Sequence, residues 1–193
     1  QAEMEQLIGY SKDIEASRAT ARQLLKDAGV PEGFKFTFNN RGVDQPYKVV
    51  GTWLVDQWRK VGLDPQQTVK PSPQFYATLR KKYDFDVSID FNCQSVINPI
   101  ADVSKFLCSA GNNYSQCDNQ EIEDLYDRLM KAATLDDQKA AMRAYEKAAV
   151  DFAGSSITLW WYKINPHRSY VKGWNIAPSH YLNQHLDNVW LDQ

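Results

Sequence analysis

The run YDFDVSIDFNCQSVINP, Tyr83 to Pro99, decides how this chain is read. Its first half alternates. Phe85, Val87 and Ile89 fall between Asp86, Ser88 and Asp90, which predicts a strand over Tyr83–Ile89 with one buried face. The alternation then fails, and from Asn92 to Asn98 the residues are mostly small or polar until Pro99 closes the run. Open α/β sheets place ligands where a hydrophobic strand runs out into polar side chains at its carboxyl end. Residues 91–98 are therefore the candidate site. An ordinary surface loop is the plain alternative.

Working outward, Asp13 is placed to cap a helix over residues 14–28, with Ala21, Leu24, Leu25 and Ala28 as its apolar stripe and Gly29 and Pro31 as its stop. FKFTF, Phe34–Phe38, alternates as a strand, and Asn39 to Gly42 reads as a turn. A helix from Asp44 or Gln45 to Val61 presents Val50, Trp53, Leu54, Trp58 and Val61 on one side, with Gly62 after its end. Leu63–Val69 reads as a strand near an edge, because Pro65 removes a ladder donor. Ser72 is placed to cap a helix through Lys82 that buries Phe75, Tyr76 and Leu79. This helix–strand alternation predicts an α/β fold, a mostly parallel or mixed sheet flanked by helices.

Beyond Pro99, Ile100, Val103, Phe106 and Leu107 make a short helix. Asp118 and Glu121 are spaced as a capping box for a helix that buries Ile122, Leu125, Tyr126 and Leu129. Thr134 and Asp137 open another, with Ala141, Tyr145, Ala148, Ala149 and Phe152 inward and Gly154 at its end. ITLWWYKI, Ile157–Ile164, is apolar on both faces and predicts a central strand. Tyr170–Trp174 and Asn188–Leu191 are further extended pieces. Nothing in the sequence divides the chain, so residues 1–193 are expected to form one domain.

Composition narrows the function. A hydrophobic fraction of 43% with 24% charged residues suits a water-soluble globular protein. The formal net charge is −2 and no Lys/Arg block occurs, which argues against nucleic acid as a partner. The amino terminus lacks the pattern of a secretion signal, so any such signal is expected upstream. Cys108 and Cys117 bracket the polar loop SAGNNYSQ, where they could be bridged in an oxidising compartment or stand as two thiols. Cys93 is left over.

The strong catalytic motifs, nucleotide-binding loops and metal-ligand spacings do not occur. His167, His180 and His185 come with no ligand cluster, and no cofactor or metal is expected. Asp84, Asp86 and Asp90 could serve as general acid/base carboxylates, and a hydrolase reading would use Asp86 and Asp90. Solvated residues on a strand's polar face are the commoner explanation of all three.

Several segments in a shared order resemble the family 5 extracellular solute-binding proteins, the peptide- and nickel-type receptors of ABC importers. They are SRATARQLLKDAG with PEGFKFTF, WLVDQWRKVGLD, FDVSIDFNCQSVINP, the long stretch NNYSQCDNQ…SSITLW, and YVKGWNIAP with the VWL ending. The resemblance covers Asp13 to Asp192. It implies two α/β lobes closing on a solute, and no enzyme. This chain would be the carboxyl-terminal lobe of a class II, cluster C type protein, without its amino-terminal lobe. Residues 1–12 would be a linker, and 175–193 a tail returning toward the absent lobe, leaving apolar surface exposed at Tyr181, Leu186 or Trp190. It implies a small-molecule or peptide solute, a membrane permease as partner, and a periplasmic or cell-surface location. It also favours the Cys108–Cys117 bridge, because members of the family carry a disulfide in this loop.

The same resemblance places the ligand contacts. The position that is acidic in peptide binders, four before Pro99, is Ser95 here. An aromatic position is Asn92, an arginine position is Ile89, and the residue before Pro99 is Asn98 instead of Asp. The charge clamp for a peptide's ammonium group is thus absent, since a neutral Ser supplies no charge-assisted bond. What remains is Phe91 for stacking, the neutral polar groups of Asn92, Gln94, Ser95 and Asn98, and one of Trp160 and Trp161, of which Trp160 is the candidate. Arg80 matches a position that is Arg in some peptide binders and could meet a carboxylate or phosphate; a solvated helix residue is the alternative reading.

Overall fold

The computed structural model describes residues 4–7, 9–82, 84–93, 98–160, 164–175 and 185–192. They cluster into two compact units, Gln1–Asp90 and Phe91–Gln193.

The first unit is α/β. Helix α1 spans Ile14–Asp27 and starts as its sequence requires: the Asp13 carboxylate accepts from the Ala16 N–H at 2.9 Å, filling one orphan donor of the first turn. Gly29, at φ +71°, carries the chain out of the helix. The helix buries no residue completely, and Leu24 of its expected stripe is half exposed. Polar bonds tether it instead. Arg18 donates to the Gln57 side chain at 2.6 Å, and Arg22 donates to the Lys60 carbonyl at 3.0 Å.

Strand β1, Phe34–Arg41, pairs in parallel with β2, Leu63–Lys70, along its whole length and with the short β3, Val87–Ser88, on its other side. The order β2-β1-β3 makes β1 central and leaves Pro65 on the outer strand, as the missing donor of proline demands. The expected turn at Asn39–Gly42 is strand instead. The β1–β2 ladder holds through Asn39, Asn40 and Arg41, and the Gly42 N–H still donates to the Lys70 carbonyl at 2.7 Å. Local turn propensity lost here to eight residues of parallel pairing.

The two faces of β1 are covered differently. Phe36 and Phe38 meet the Trp58 ring edge-on, at centroid distances of 5.3 and 5.0 Å. Trp58 belongs to helix α2, Val49–Arg59, which is entered through a π turn at Asp44–Lys48. Val50, Gly51 and Val55 are the buried positions of α2, whereas Trp53, expected inward, is half exposed. On the other face lies α3, Ser72–Ala77, which continues as a π turn over Thr78–Lys82 and buries Phe75, Thr78 and Leu79. Its N-cap is Pro71, not Ser72.

Of the strand expected over Tyr83–Ile89, the described residues 84–89 form strand only at Val87–Ser88, and Val87 of its expected buried face is more than a third exposed. The cause is visible at Asp86. Its carboxylate accepts from both the N–H and the hydroxyl of Thr37 at 2.7 Å, and its own N–H donates to that hydroxyl at 2.9 Å. A side chain here does the work of a ladder carbonyl, so main-chain pairing begins one residue later.

The second unit is built on two helices packed together, α5 (Gln120–Lys131) and α6 (Leu135–Phe152). Ile122 and Leu129 face Ala141 and Tyr145 in its core. Asn119, not Asp118, caps α5 by accepting from the Ile122 N–H at 3.3 Å. Thr134 caps α6 as expected, accepting from the Asp137 N–H at 3.1 Å. Phe152 is more exposed than its stripe predicts, and the left-handed residue ending α6 is Ala153, φ +55°, one before Gly154. Helix α4, Pro99–Val103, is held from below by two phenols. Tyr145 donates to the Val103 carbonyl at 2.8 Å and Tyr126 to the Ile100 carbonyl at 3.4 Å. Burial raises the Tyr145 phenol far above its ordinary value, so it stays a donor.

Cys108 and Cys117 form a disulfide. Strands β4 (Val171–Lys172) and β5 (Trp190–Leu191) pair antiparallel. The central strand expected at Ile157–Ile164 is not formed among the described residues of that segment, 157–160 and 164. Ile157, Leu159, Trp160 and Ile164 are 47, 53, 87 and 80% exposed. An apolar extended segment becomes a central strand only where neighbours offer ladder pairing on both edges, and the described residues here form no strand. Trp161 lies outside the described residues. No helix among those described is long and apolar enough to cross a membrane.

Candidate functional site

In the first unit the chemistry gathers at the carboxyl end of the central strand. The alternation Phe34, Phe36, Phe38 continues into Asn40, and Asn39 and Arg41 occupy the opposite face. Asn39 and Asn40 are buried. The Asn39 amide donates to Ser88 Oγ at 3.1 Å, while both polar atoms of the Asn40 side chain lack a partner among the described residues. Arg41, half-buried, donates from Nε to Ser72 Oγ at 2.8 Å. Its Nη1 reaches the hydroxyls of Tyr47 and Tyr76, both at 3.4 Å. The guanidinium carbon lies 5.1 and 5.2 Å from the two ring centroids. Arg80 stands over the Tyr76 ring as well, at 4.9 Å. Burial raises the Tyr47 phenol above its ordinary value; the Arg41 hydrogen bond opposes this, and the negative charge of Asp90 adds a small upward push.

Sequence reading assigned no binding role to Arg41, Tyr47 or Tyr76, and placed Tyr76 in the buried stripe of its helix. The signal was present: the period-2 pattern of β1 runs on into polar residues, as it does at Ile89–Asn92, and the same rule about strand ends applies.

In the second unit the polar run after β3 is tied to α4. Asn92 donates from its amide to the Asp102 carbonyl at 3.0 Å. Asn98 caps α4 by accepting from the Ile100 N–H at 3.0 Å. Lys105 donates to the Phe91 carbonyl at 2.7 Å and sits 5.9 Å from the centroid of the Tyr114 ring. Two of the expected ligand contacts, Asn92 and Asn98, thus spend side-chain bonds on the frame of the loop. Phe91 presents nearly half its surface, and Trp160 is the most exposed of the large apolar side chains described. Gln94 and Ser95 lie outside the described residues.

Of Asp86 and Asp90, the carboxylates of the hydrolase reading, Asp86 is tied to the neighbouring strand. The Thr37 N–H and hydroxyl hold the Asp86 carboxyl below its ordinary value, so at neutral pH it is an occupied acceptor with no proton to give. Among the described residues no group of three His, Cys, Asp or Glu could hold a metal ion.

No family model matches the sequence, and no curated protein matches it. Solved structures do. The periplasmic binding protein DppA from Helicobacter pylori, in complex with peptide STSA, aligns with 98% of the chain at TM-score 0.75 and 20% identity. The fold is that of the periplasmic peptide-binding proteins. The murein tripeptide binding protein MppA in its unliganded open form matches 77% of the chain at TM-score 0.68 and 16% identity. OppA from Haemophilus influenzae, in complex with RPPGFSPFR, matches 78% at TM-score 0.64 and 19% identity. The chain spans 36% of the DppA chain, 29% of MppA and 30% of OppA, so it has the extent of roughly a third of a binding-protein fold.

Proposed function

We propose that this chain is part of the substrate-binding component of an ABC-type importer. It captures a small polar solute, such as a short peptide, outside the cytoplasm, and the loaded protein then docks on a membrane permease. The observation that carries the reading is the alignment of nearly the whole chain to the peptide-bound DppA structure. The occupied state of Asp86 supports it from the other side, since binding needs no proton donor there.

The candidate solute contacts are Phe91, Asn92, Gln94, Ser95, Asn98, Arg80 and Trp160. Asn92 and Asn98 also bond to the frame of the loop through one amide atom each. The remaining contacts belong to the amino-terminal lobe that such proteins close over their solute, and closure is a hinge motion in which the solute stabilises the shut form.

Native mass spectrometry of the full-length gene product, purified without denaturation, tests this. The expected result is a retained small-molecule mass. The same compound, added back after unfolding and refolding, should raise the melting temperature. A protein that carries no solute and is stabilised by no member of a di- to pentapeptide library would refute the reading.

A further inference from the structure

We propose that Arg41 and Tyr76, flanked by Tyr47, form a seat for an oxyanion, a carboxylate or phosphate group carried by the solute. The inference rests on the solute-binding reading and goes further by naming the group recognised and the residues that recognise it.

Arg41 is a half-buried guanidinium whose hydrogen bonds all go to neutral hydroxyls, those of Ser72, Tyr47 and Tyr76. No carboxylate pairs with it among the described residues. A structural arginine in a partly buried place is ordinarily matched by an acid, because a desolvated charge without a counter-charge is costly. Arg80 stands over the same Tyr76 ring.

The geometry also says how an anion would sit. Nε is engaged with Ser72, so the side-on fork of Nε and Nη2 is not open. The end-on fork of Nη1 and Nη2 is the approach that costs no existing strong bond. The two Nη1 contacts to phenol oxygens are long, at 3.4 Å, and yield readily to a shorter charged acceptor. Tyr76 accepts from Arg41 and retains a hydroxyl hydrogen that can turn to the same oxyanion. The position fits as well. Arg41 is the last residue of the central strand, at its carboxyl end.

The test uses the full-length protein with defined probes: N-acetyl-Ala-Ala, its carboxyl-terminal amide, and inorganic phosphate. The Arg41 Nε–Hε signal is followed by NMR, assigned through Arg41→Lys, and affinities are measured by calorimetry. The acid or phosphate should shift this signal saturably and the amide should not; whichever of the two binds identifies the oxyanion. Arg41→Met should weaken the bound probe about 10- to 100-fold, as expected for loss of a charge-assisted pair. Tyr76→Phe, which removes one hydroxyl and keeps the fold's packing, should weaken it less, roughly 3- to 10-fold. Equal binding of acid and amide, no movement of the Arg41 signal, or full affinity in a folded Arg41→Met protein would each overturn the seat. In the last case a solute still retained in native mass spectrometry would leave the importer reading standing, whereas a protein that retains none loses both.

Discussion

Gly51 and Asn40 provide the sharpest test of the packing that positions Arg41. A methyl group added at Gly51 would lie 1.8 Å from Asn40 Nδ2, 2.7 Å from its Cγ and 3.0 Å from Gln67 Nε2. The amide would have to retreat by more than an ångström, yet Asn40 is fully buried beside the equally buried Phe38. Forcing a methyl into such a site costs about 1–3 kcal/mol. Against this, alanine in a helix interior is worth about 0.5–1 kcal/mol over glycine. Gly51→Ala alone should therefore destabilise by about 0–2.5 kcal/mol. In an Asn40→Ala background only the end of the flexible Gln67 side chain remains close to the methyl, and the same change should stabilise by about 0.5–1 kcal/mol. Urea denaturation of the four proteins of this cycle, followed by far-ultraviolet circular dichroism and tryptophan fluorescence, measures the coupling. Additivity within about 0.5 kcal/mol, or stabilisation by Gly51→Ala on its own, would refute the close contact between α2 and the end of β1.

Two further predictions concern pH. The Asp86 carboxyl is held below its ordinary value by the Thr37 N–H and hydroxyl, so its contribution to stability is full above the unfolded carboxylate value near 3.8 and is lost as pH falls below it; Asp86→Asn should flatten that acid limb in stability measured from pH 6 to pH 2.5. The Tyr145 phenol is raised by burial, so its contribution is full below the unfolded phenol value of 10.0 and declines as pH rises above it. Ultraviolet titration should show a tyrosine that resists ionisation while the protein stays folded, a signal absent in Tyr145→Phe. At neutral pH Tyr145→Phe also loses the bond to the Val103 carbonyl, and urea denaturation should register about 0.5–1.5 kcal/mol; an unchanged midpoint would exclude that bond as an anchor of α4.

Sequence by itself determined the elements whose causes are local. Asp13 and Thr134 cap the helices they precede, because a short polar side chain next to an apolar stripe has few better uses. Gly29 and Gly62, at φ +71° and +93°, follow the ends of α1 and α2 where a side chain would be strained. The order of helices and strands then requires a parallel sheet, since a helix between two strands brings the second back in the same direction. The Cys108–Cys117 bridge was legible only with the family resemblance beside the spacing.

Tertiary structure decided the rest, and in each case the deciding partner lay far along the chain. Asn39, Asn40 and Arg41 have turn-like composition, but the ladder with Thr68, Val69 and Lys70 draws them into the strand. Asp86 looked like one more solvated residue of an alternating run until Thr37 claimed its carboxylate and cut the strand short. Asn92 and Asn98 read as ligand donors, and their bonds go to α4. Arg41 becomes a candidate only when Tyr47, Ser72 and Tyr76 are brought around it. Capping and turning depend on neighbours a few residues away, which a sequence displays. The partner of a buried polar group is whatever the fold delivers, and that is known only once the chain has closed on itself.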